Sequence, residues 1–353
     1  MEAYGVEKLE GLYGVQWQFL AAARTRAEEQ LGQLDTVCSS VIPPDTSLVV
    51  FGSLARKEFT EASDVDWTLL VDGITIPEHS TVARQLEDKL KELHLAPPGQ
   101  TGTFGNIAAS HNLIHFIGGE DDTNANTTRR SLLLLEAKPI GDSAAFNRVR
   151  NNILKRFLEE DLGLWRKSTK VKIPHFLLND FARYWRTMTV DFADKQHDRF
   201  HEGFALRSIK LRFSRKLMYI SGLLACLRCQ LNFPDVEARL EFFSRDNSVA
   251  VIDLVRSFLD REPLDTVADA LQLYVEKPSA IQAIFEAYDG FLGILSNADK
   301  RARLKTLTPK DFESDPVYKE ARELSHVFSQ AIGEIFLVAD NPVGELTIRY
   351  GVF

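Results

Sequence analysis

Apolar residues recur at helical spacing across residues 7–35, through Leu9, Leu12, Val15, Phe19 and Leu20, and predict one long helix. Pro43-Pro44 stops whatever precedes it. Residues 47–51 form a short, apolar, β-branched run that predicts a buried strand, with Gly52 directly after it. Residues 66–71 predict a second strand, closed by an Asp72-Gly73 turn. An amphipathic pattern predicts a helix over 82–93. Residues 113–117 predict a third strand ended by Gly118-Gly119. Residues 123–136 predict a helix capped by Thr or Asn and closed by Pro139 and Gly141.

Beyond residue 143 the strand signal fades and helical periods take over at 143–160, 175–194, 204–230, 248–260, 266–275, 279–296 and 316–338. Strands first and helices afterwards is an α+β pattern. It divides the chain into a mixed-sheet domain over 1–142, a helical domain over 143–340 and a tail over 341–353. Asn341-Pro342 blocks continuation of the last long helix, and Leu346, Ile348, Tyr350 and Phe353 then predict an extended, docked tail.

Composition narrows the class. The chain has 353 residues and a formal charge of -8, so it is not a protein that coats nucleic acid over a whole face. The first residues, Met1-Glu2-Ala3-Tyr4, carry no secretory pattern, and no run is apolar and long enough to span a bilayer. Three cysteines do not make a disulfide framework, which points to a reducing cytoplasm. Cys226 and Cys229 form a lone C-x-x-C inside an apolar helical run and read as core residues, since zinc asks for four ligands.

The chemistry is concentrated between residues 48 and 71. A strand runs into Gly52-Ser53, a ten-residue spacer follows, and the next strand opens with Ser63-Asp64-Val65-Asp66. Two acids two residues apart on a strand project to one face. Their mutual repulsion is relieved by a hard, oxygen-seeking divalent ion, with magnesium the first choice and manganese the alternative. Gly52 permits close backbone approach, and Ser53 offers a hydroxyl and an N–H at a helix start, both suited to phosphate.

Gly-Ser followed by Asp-x-Asp resembles the nucleotidyltransferase superfamily of DNA polymerase beta. The resemblance implies a polymerase-beta-like core with an NTP or dNTP, ATP among them, as substrate. Gly52 and Ser53 would hold the β and γ phosphates, and Asp64 and Asp66 the metal ions. The superfamily also implies a third acid on a neighbouring strand. Residues 113–117 offer His115 there, and Glu120, Asp121 and Asp122 follow just beyond; one of these acids, or His115, completes the site, or the acids merely form a solvated turn capping the next helix. Arg56 and Lys57 follow the glycine turn within reach of phosphate, Lys57 equally as an exposed helix charge. Arg207 and Lys210 share a helix face in the densest basic stretch, either a solvated face or, for Lys210 first, a triphosphate contact from a helical domain that closes over the nucleotide. Tyr184, Trp185 and Arg186 stack a base or pack as core.

The runs Gly118-Gly119-Glu120-Asp121-Asp122-Thr123-Asn124 with Thr127-Thr128-Arg129-Arg130, and Arg183-Tyr184-Trp185-Arg186-Thr187, also resemble bacterial nucleotidyltransferases with long helical C-terminal parts. Several of those make nucleotide signals for a separate effector protein in antiviral defence. Three activities follow: template-independent synthesis of a nucleotide or oligonucleotide signal, nucleotidylation of a protein, tRNA or small molecule, and nucleotide-binding regulation without turnover. Tyr350, on the predicted extended tail of this chain or of a homo-oligomeric neighbour, is a candidate priming acceptor, because a tethered hydroxyl has a high effective concentration.

Overall fold

The computed structural model describes residues 5–98, 103–198 and 203–351. The chain forms two compact units interleaved in sequence: a sheet unit of Ala23–Leu162 with Ser248–Glu262, and a helical unit of Met1–Ala22, Gly163–Asn247 and Pro263–Phe353.

The sheet unit carries β1 (Thr46–Phe51), β2 (Asp66–Val71), β3 (Asn106–Ala109) and β4 (Ala137–Ile140) in the order β3-β2-β1-β4. β1 pairs antiparallel with β2 and β4, and β2 pairs parallel with β3. A parallel pair requires a crossover, which the Pro77–Glu92 helix provides. Leu48, Val50, Trp67 and Leu69 form one sheet face and pack with Ala27 and Leu34 of the Gln18–Cys38 helix and with Leu86 and Leu90 of the crossover. On the other face the Ala144–Glu160 helix packs against β1 and β2, and Ser47 Oγ accepts from Phe146 N at 3.2 Å. Burial from both sides explains why every position of β1 is buried and why Leu48 to Phe51 is a continuous apolar run.

This covering helix also corrects the expected boundary at residue 142. Residues 143–160 belong with the sheet because they bury its second face, and Ser248–Leu259 packs on them through Val251, Val255 and Phe258. Arg150 fastens that packing, bonding Asp260 at 2.6 Å and the Leu259 carbonyl at 3.0 Å. The expected third strand at 113–117 is also corrected. Residues 113–115 are the end of a helix, Ser110–His115, with Leu113 buried, and Phe116 and Ile117 run into the turn that follows, with Ile117 buried. The strand lies just before that helix, in Asn106–Ala109, which is short and poor in β-branched residues. β4 contains Pro139, tolerated because β4 is at an edge of the sheet.

The helical unit begins with Val6–Tyr13; the single expected helix over 7–35 is broken at Gly14, whose φ of 64° ends the first segment. Asp265 and Asp269 cap that segment, accepting from Val6 N at 3.0 Å and Gly5 N at 2.9 Å. Phe213, Phe291 and Phe328 form an aromatic centre, with Phe213 and Phe291 stacked at 4.5 Å. The Lys216–Leu231 helix is buried on almost every side. Cys226 and Cys229 are free and buried in it, and burial pushes the Cys229 thiol up to about 12, so this pair is core. No helix among the described residues is long and apolar enough to cross a membrane.

The tail is helical, which corrects the expected extended strand. Pro342–Leu346 is one helical turn and Thr347–Gly351 a π-helical turn; Val352 and Phe353 lie outside the described residues. Asn341 is the N-cap, its Oδ1 accepting from Gly344 N at 2.9 Å, and Pro342 takes the first helical position, where its missing N–H costs nothing. A Cβ on Gly344 would collide with the Val338 carbonyl oxygen. Gly344→Ala is expected to destabilise the helical unit by about 1–3 kcal/mol through overpacking, read in urea unfolding; an unchanged midpoint would show that the tail yields freely.

Candidate active site

The end of β1 and the start of β2 lie side by side, with Phe51 opposite Asp66. Gly52 follows at φ 70° and opens a single helical turn, Gly52–Ala55. A Cβ built on Gly52 would stand 3.3 Å from Asp66 Oδ2. The carboxylate therefore lies against the bare face of the glycine, where a side chain would crowd it. Asp64 lies two residues back on the same face, in a bridge with Ala96 that Val65 N completes by donating to Ala96 O at 3.1 Å. Both acids are half-buried. The spacer is fixed by Thr60 and Ser63, whose hydroxyls bond each other at 2.9 Å while Ser63 N donates to Thr60 O at 2.9 Å. Ser53 is half-buried beside Gly52, and its carbonyl accepts from Glu58 N at 2.7 Å.

Arg56 is not placed as a phosphate ligand, contrary to expectation. It is 6 % exposed and pairs with Glu58 at 3.0 Å and with Glu136, the residue before β4. The guanidinium thereby ties the Gly-Ser turn to the edge strand. Lys57 adopts a left-handed φ of 57° and pairs with Glu28 at 2.8 Å and Glu262 at 3.7 Å. Burial pulls its pKa down, but the hydrogen bond to Glu28 and the charges of Glu262 and Glu28 outweigh this and hold it above the ordinary lysine value. Glu262 is held below the usual carboxylate range: burial opposes this, and Lys138, at 3.2 Å, and Lys57 prevail. Lys57 is thus a member of an ion-pair cluster and not an exposed helix charge.

The proposed third-acid positions are dispersed. Asp122 is buried in a two-pronged pair with Arg130, both contacts at 3.1 Å, and accepts from Gly118 N at 3.1 Å. His115 is exposed in the last turn of the Ser110–His115 helix, its ring 4.8 Å from that of His111, and Asp121 is exposed in the turn before Asn124–Leu135. That helix is capped by Thr123, whose side chain accepts from Asn126 N, as the sequence predicts.

The neighbour of the acidic pair on β3 is instead Asn106, opposite Thr68 and on the face shared by Asp64 and Asp66. Arg129 donates to Asn106 Oδ1 at 3.0 Å and to the Thr103 carbonyl at 3.1 Å, and burial draws its pKa down. No strand signal marks residues 106–109, so sequence reasoning missed Asn106, and the Arg129-Arg130 doublet gave no hint that its members part ways. Lys210, Arg207 and Tyr350 belong to the helical unit. The first two end the Phe204–Lys210 helix, before a π-helical turn at Leu211–Arg215. Tyr350 sits in the tail's helical turn with its ring 5.6 Å from that of His175, which replaces the extended reach on which priming depends.

Among the described residues no group of three or more acid, His or Cys side chains is placed to hold a metal. The two aspartates suffice for magnesium, which is commonly held by one or two carboxylates with phosphate and water oxygens completing the shell, and their oxygen-only donor set fits magnesium or manganese. A mixed sheet with a glycine turn beneath one of two same-face carboxylates, joined to a helical unit, is the α+β architecture of a nucleotidyltransferase core with a helical C-terminal part. Residues 32–97 match the family described as the nucleotidyltransferase domain, and the match spans β1, Gly52-Ser53, Asp64, Asp66 and β2. It supports an enzyme that transfers nucleotidyl groups. No curated protein matches the chain.

Gly52→Ala tests the turn. A non-glycine residue in left-handed backbone costs about 1–2 kcal/mol, and the new methyl would also press on Asp66. Activity should fall by more than this loss of stability accounts for; equal activity at full folding would detach Gly52 from the site.

Proposed function

We propose that the protein is a magnesium-dependent, template-independent nucleotidyltransferase that moves a nucleoside monophosphate from an NTP or dNTP to an acceptor hydroxyl. The observation that carries this reading is how close the Asp66 carboxylate lies to Gly52, 3.3 Å from where a Cβ would stand, which supports a turn open to phosphate next to an acid able to hold a metal. Gly52 lets the triphosphate approach the backbone, and the Ser53 N–H and hydroxyl donate to its β and γ oxygens. Asp64 and Asp66 would hold the metal, which supplies charge neutralisation on the triphosphate. The acceptor oxygen attacks the α-phosphorus, the bond to the β-phosphate bridging oxygen breaks, pyrophosphate leaves, and the hydroxyl proton passes to solvent.

The purified chain incubated with each labelled NTP and dNTP, with magnesium or manganese, should release pyrophosphate and yield a labelled product. Separation of protein-bound from free label then distinguishes protein nucleotidylation from a soluble nucleotide signal. Absence of turnover with every nucleotide, beside measurable binding, favours a second reading, a nucleotide-binding regulator. Asn106 supports that alternative, because the strand next to the acidic pair contributes an amide where a base would help remove the proton. The likeness of residues 118–124 and 183–187 to bacterial signal-making enzymes supports a product read by a separate effector in antiviral defence. Phage challenge of cells carrying the wild type or Asp66→Ala tests that role.

A further inference from the structure

The Ser110–His115 helix follows β3 and carries two histidines four residues apart, His111 and His115, both exposed. Residues at this spacing lie one above the other on a helix, so both rings project from one face. Their centroids are 4.8 Å apart, with the ring planes inclined at 38°. We propose that His111 and His115 form a two-point chelate for a borderline divalent cation, zinc first, on the surface of the sheet unit.

Two histidines one turn apart on a helix are a pairing with which proteins hold zinc. The ring separation suits that use. A zinc ion sits about 2.0–2.1 Å from an imidazole nitrogen, which puts it about 3.2 Å from the centre of that ring. Two rings that meet one ion at the tetrahedral angle then have centres about 5.2 Å apart, and at a right angle about 4.5 Å apart. The observed 4.8 Å falls between those limits. His111 is also held in place, because its ring makes a T-shaped contact with Phe116 at 5.5 Å. A ligand whose rotamer is fixed by packing loses less freedom when the ion binds.

The pair differs from Asp64 and Asp66 in place and in chemistry. β3 runs parallel to β2 with Ala109 opposite Val71, so the histidine helix leaves the end of the sheet away from Asp66. Carboxylate oxygens suit hard magnesium, whereas imidazole nitrogens suit zinc, copper and nickel. Among the described residues no group of three or more His, Cys, Asp or Glu is placed around a metal, so water or a small exogenous donor fills the rest of the shell. A bound ion ties the second residue of the helix to its last and thereby braces this short element, which connects β3 to the Gly118-Gly119 turn.

The test uses the full chain, stripped with EDTA and titrated with zinc sulfate against a fluorescent zinc indicator. His111→Ala and His115→Ala should each weaken the tightest zinc binding by about tenfold or more, at least what loss of an outer-shell partner costs. Both positions are exposed, so neither substitution opens the core, and thermal melting of the metal-free variants checks this. Saturating zinc should raise the melting temperature of the wild type and not that of the double variant, because an ion that binds only the folded helix stabilises it. Asp66→Ala should bind zinc as the wild type does, and excess magnesium should not displace it. If each histidine binds zinc alone, a single substitution removes one weak site and leaves the affinity of the other unchanged. That result, or equal zinc affinity in the wild type and the double variant, overturns the proposal, and neither outcome depends on nucleotidyl transfer.

Discussion

Asp66→Ala is expected to yield a folded protein whose nucleotide incorporation is reduced by about 10³-fold or more, which corresponds to about 4 kcal/mol of lost transition-state stabilisation. Asp66 is half-buried at the first position of β2, outside the packed cluster of Trp67 and Leu69, so its truncation leaves the core intact. In the proposed reaction its role would be electrostatic: with Asp64 it forms the only same-face acid pair beside the Gly52-Ser53 turn among the described residues, and loss of one of the two carboxylates would weaken the hold on a magnesium ion carried with the triphosphate. Asp64→Ala should behave alike, and the double variant should be no worse than either single one, because residues acting as a unit are not additive. Single-turnover incorporation of labelled nucleotide with thermal melting as a control checks this. Near-full activity in a well-folded double variant would end the assignment.

Arg56→Met is expected to cost about 3–5 kcal/mol of stability. Arg56, Glu58 and Glu136 are all under 7 % exposed, and removing the guanidinium strands two carboxylates with little access to water. Replacing all three by apolar residues of similar volume should recover much of the loss, since a buried ion group is weakly stabilising compared with good packing. Urea unfolding followed by tryptophan fluorescence, to which buried Trp67 contributes, reads both variants. A loss below about 1 kcal/mol for Arg56→Met would show that the network is not a fastener. Activity in surviving Arg56→Met should fall as well, because the network anchors the Gly-Ser turn to the residue before β4.

The central elements were legible in the sequence because short-range physics dictates them. β1 and β2 carry the apolar runs Leu48 to Phe51 and Leu69 to Val71, the turn between them needs glycine, and alternation along a strand puts Asp64 and Asp66 on one face whatever surrounds them. The long helices announce themselves by period, and the Asn124–Leu135 helix by its threonine cap. Elements held by neighbours were not legible. β3 and β4 have little strand propensity of their own and exist because β2 and β1 offer them hydrogen bonds. At residues 113–117 an apolar run was too short to tell a period of two from one of four, and the fold makes it the last turn of the Ser110–His115 helix followed by a turn. In the tail, Asn341-Pro342 had two meanings, a stop for one helix and a start for the next, and the close fit of Gly344 under the Val338 carbonyl made it the second.

By itself, then, the sequence determined the glycine turn, the acidic pair and the helical character of the C-terminal half, all of which follow from spacing along the chain. Only the tertiary structure decided which charges are available for chemistry. Arg56, Lys57 and Asp122 look alike in sequence to any residue poised for a ligand, yet each is committed to a partner 29 to 80 or, for Asp122, 8 residues away. Asn106, silent in sequence, was brought to the strand beside the acids by a parallel pairing, and Arg129, one of a basic doublet in the sequence, is held on it. The pairing of a charge depends on what the fold places within a few ångströms of it, and separation along the chain does not encode that distance.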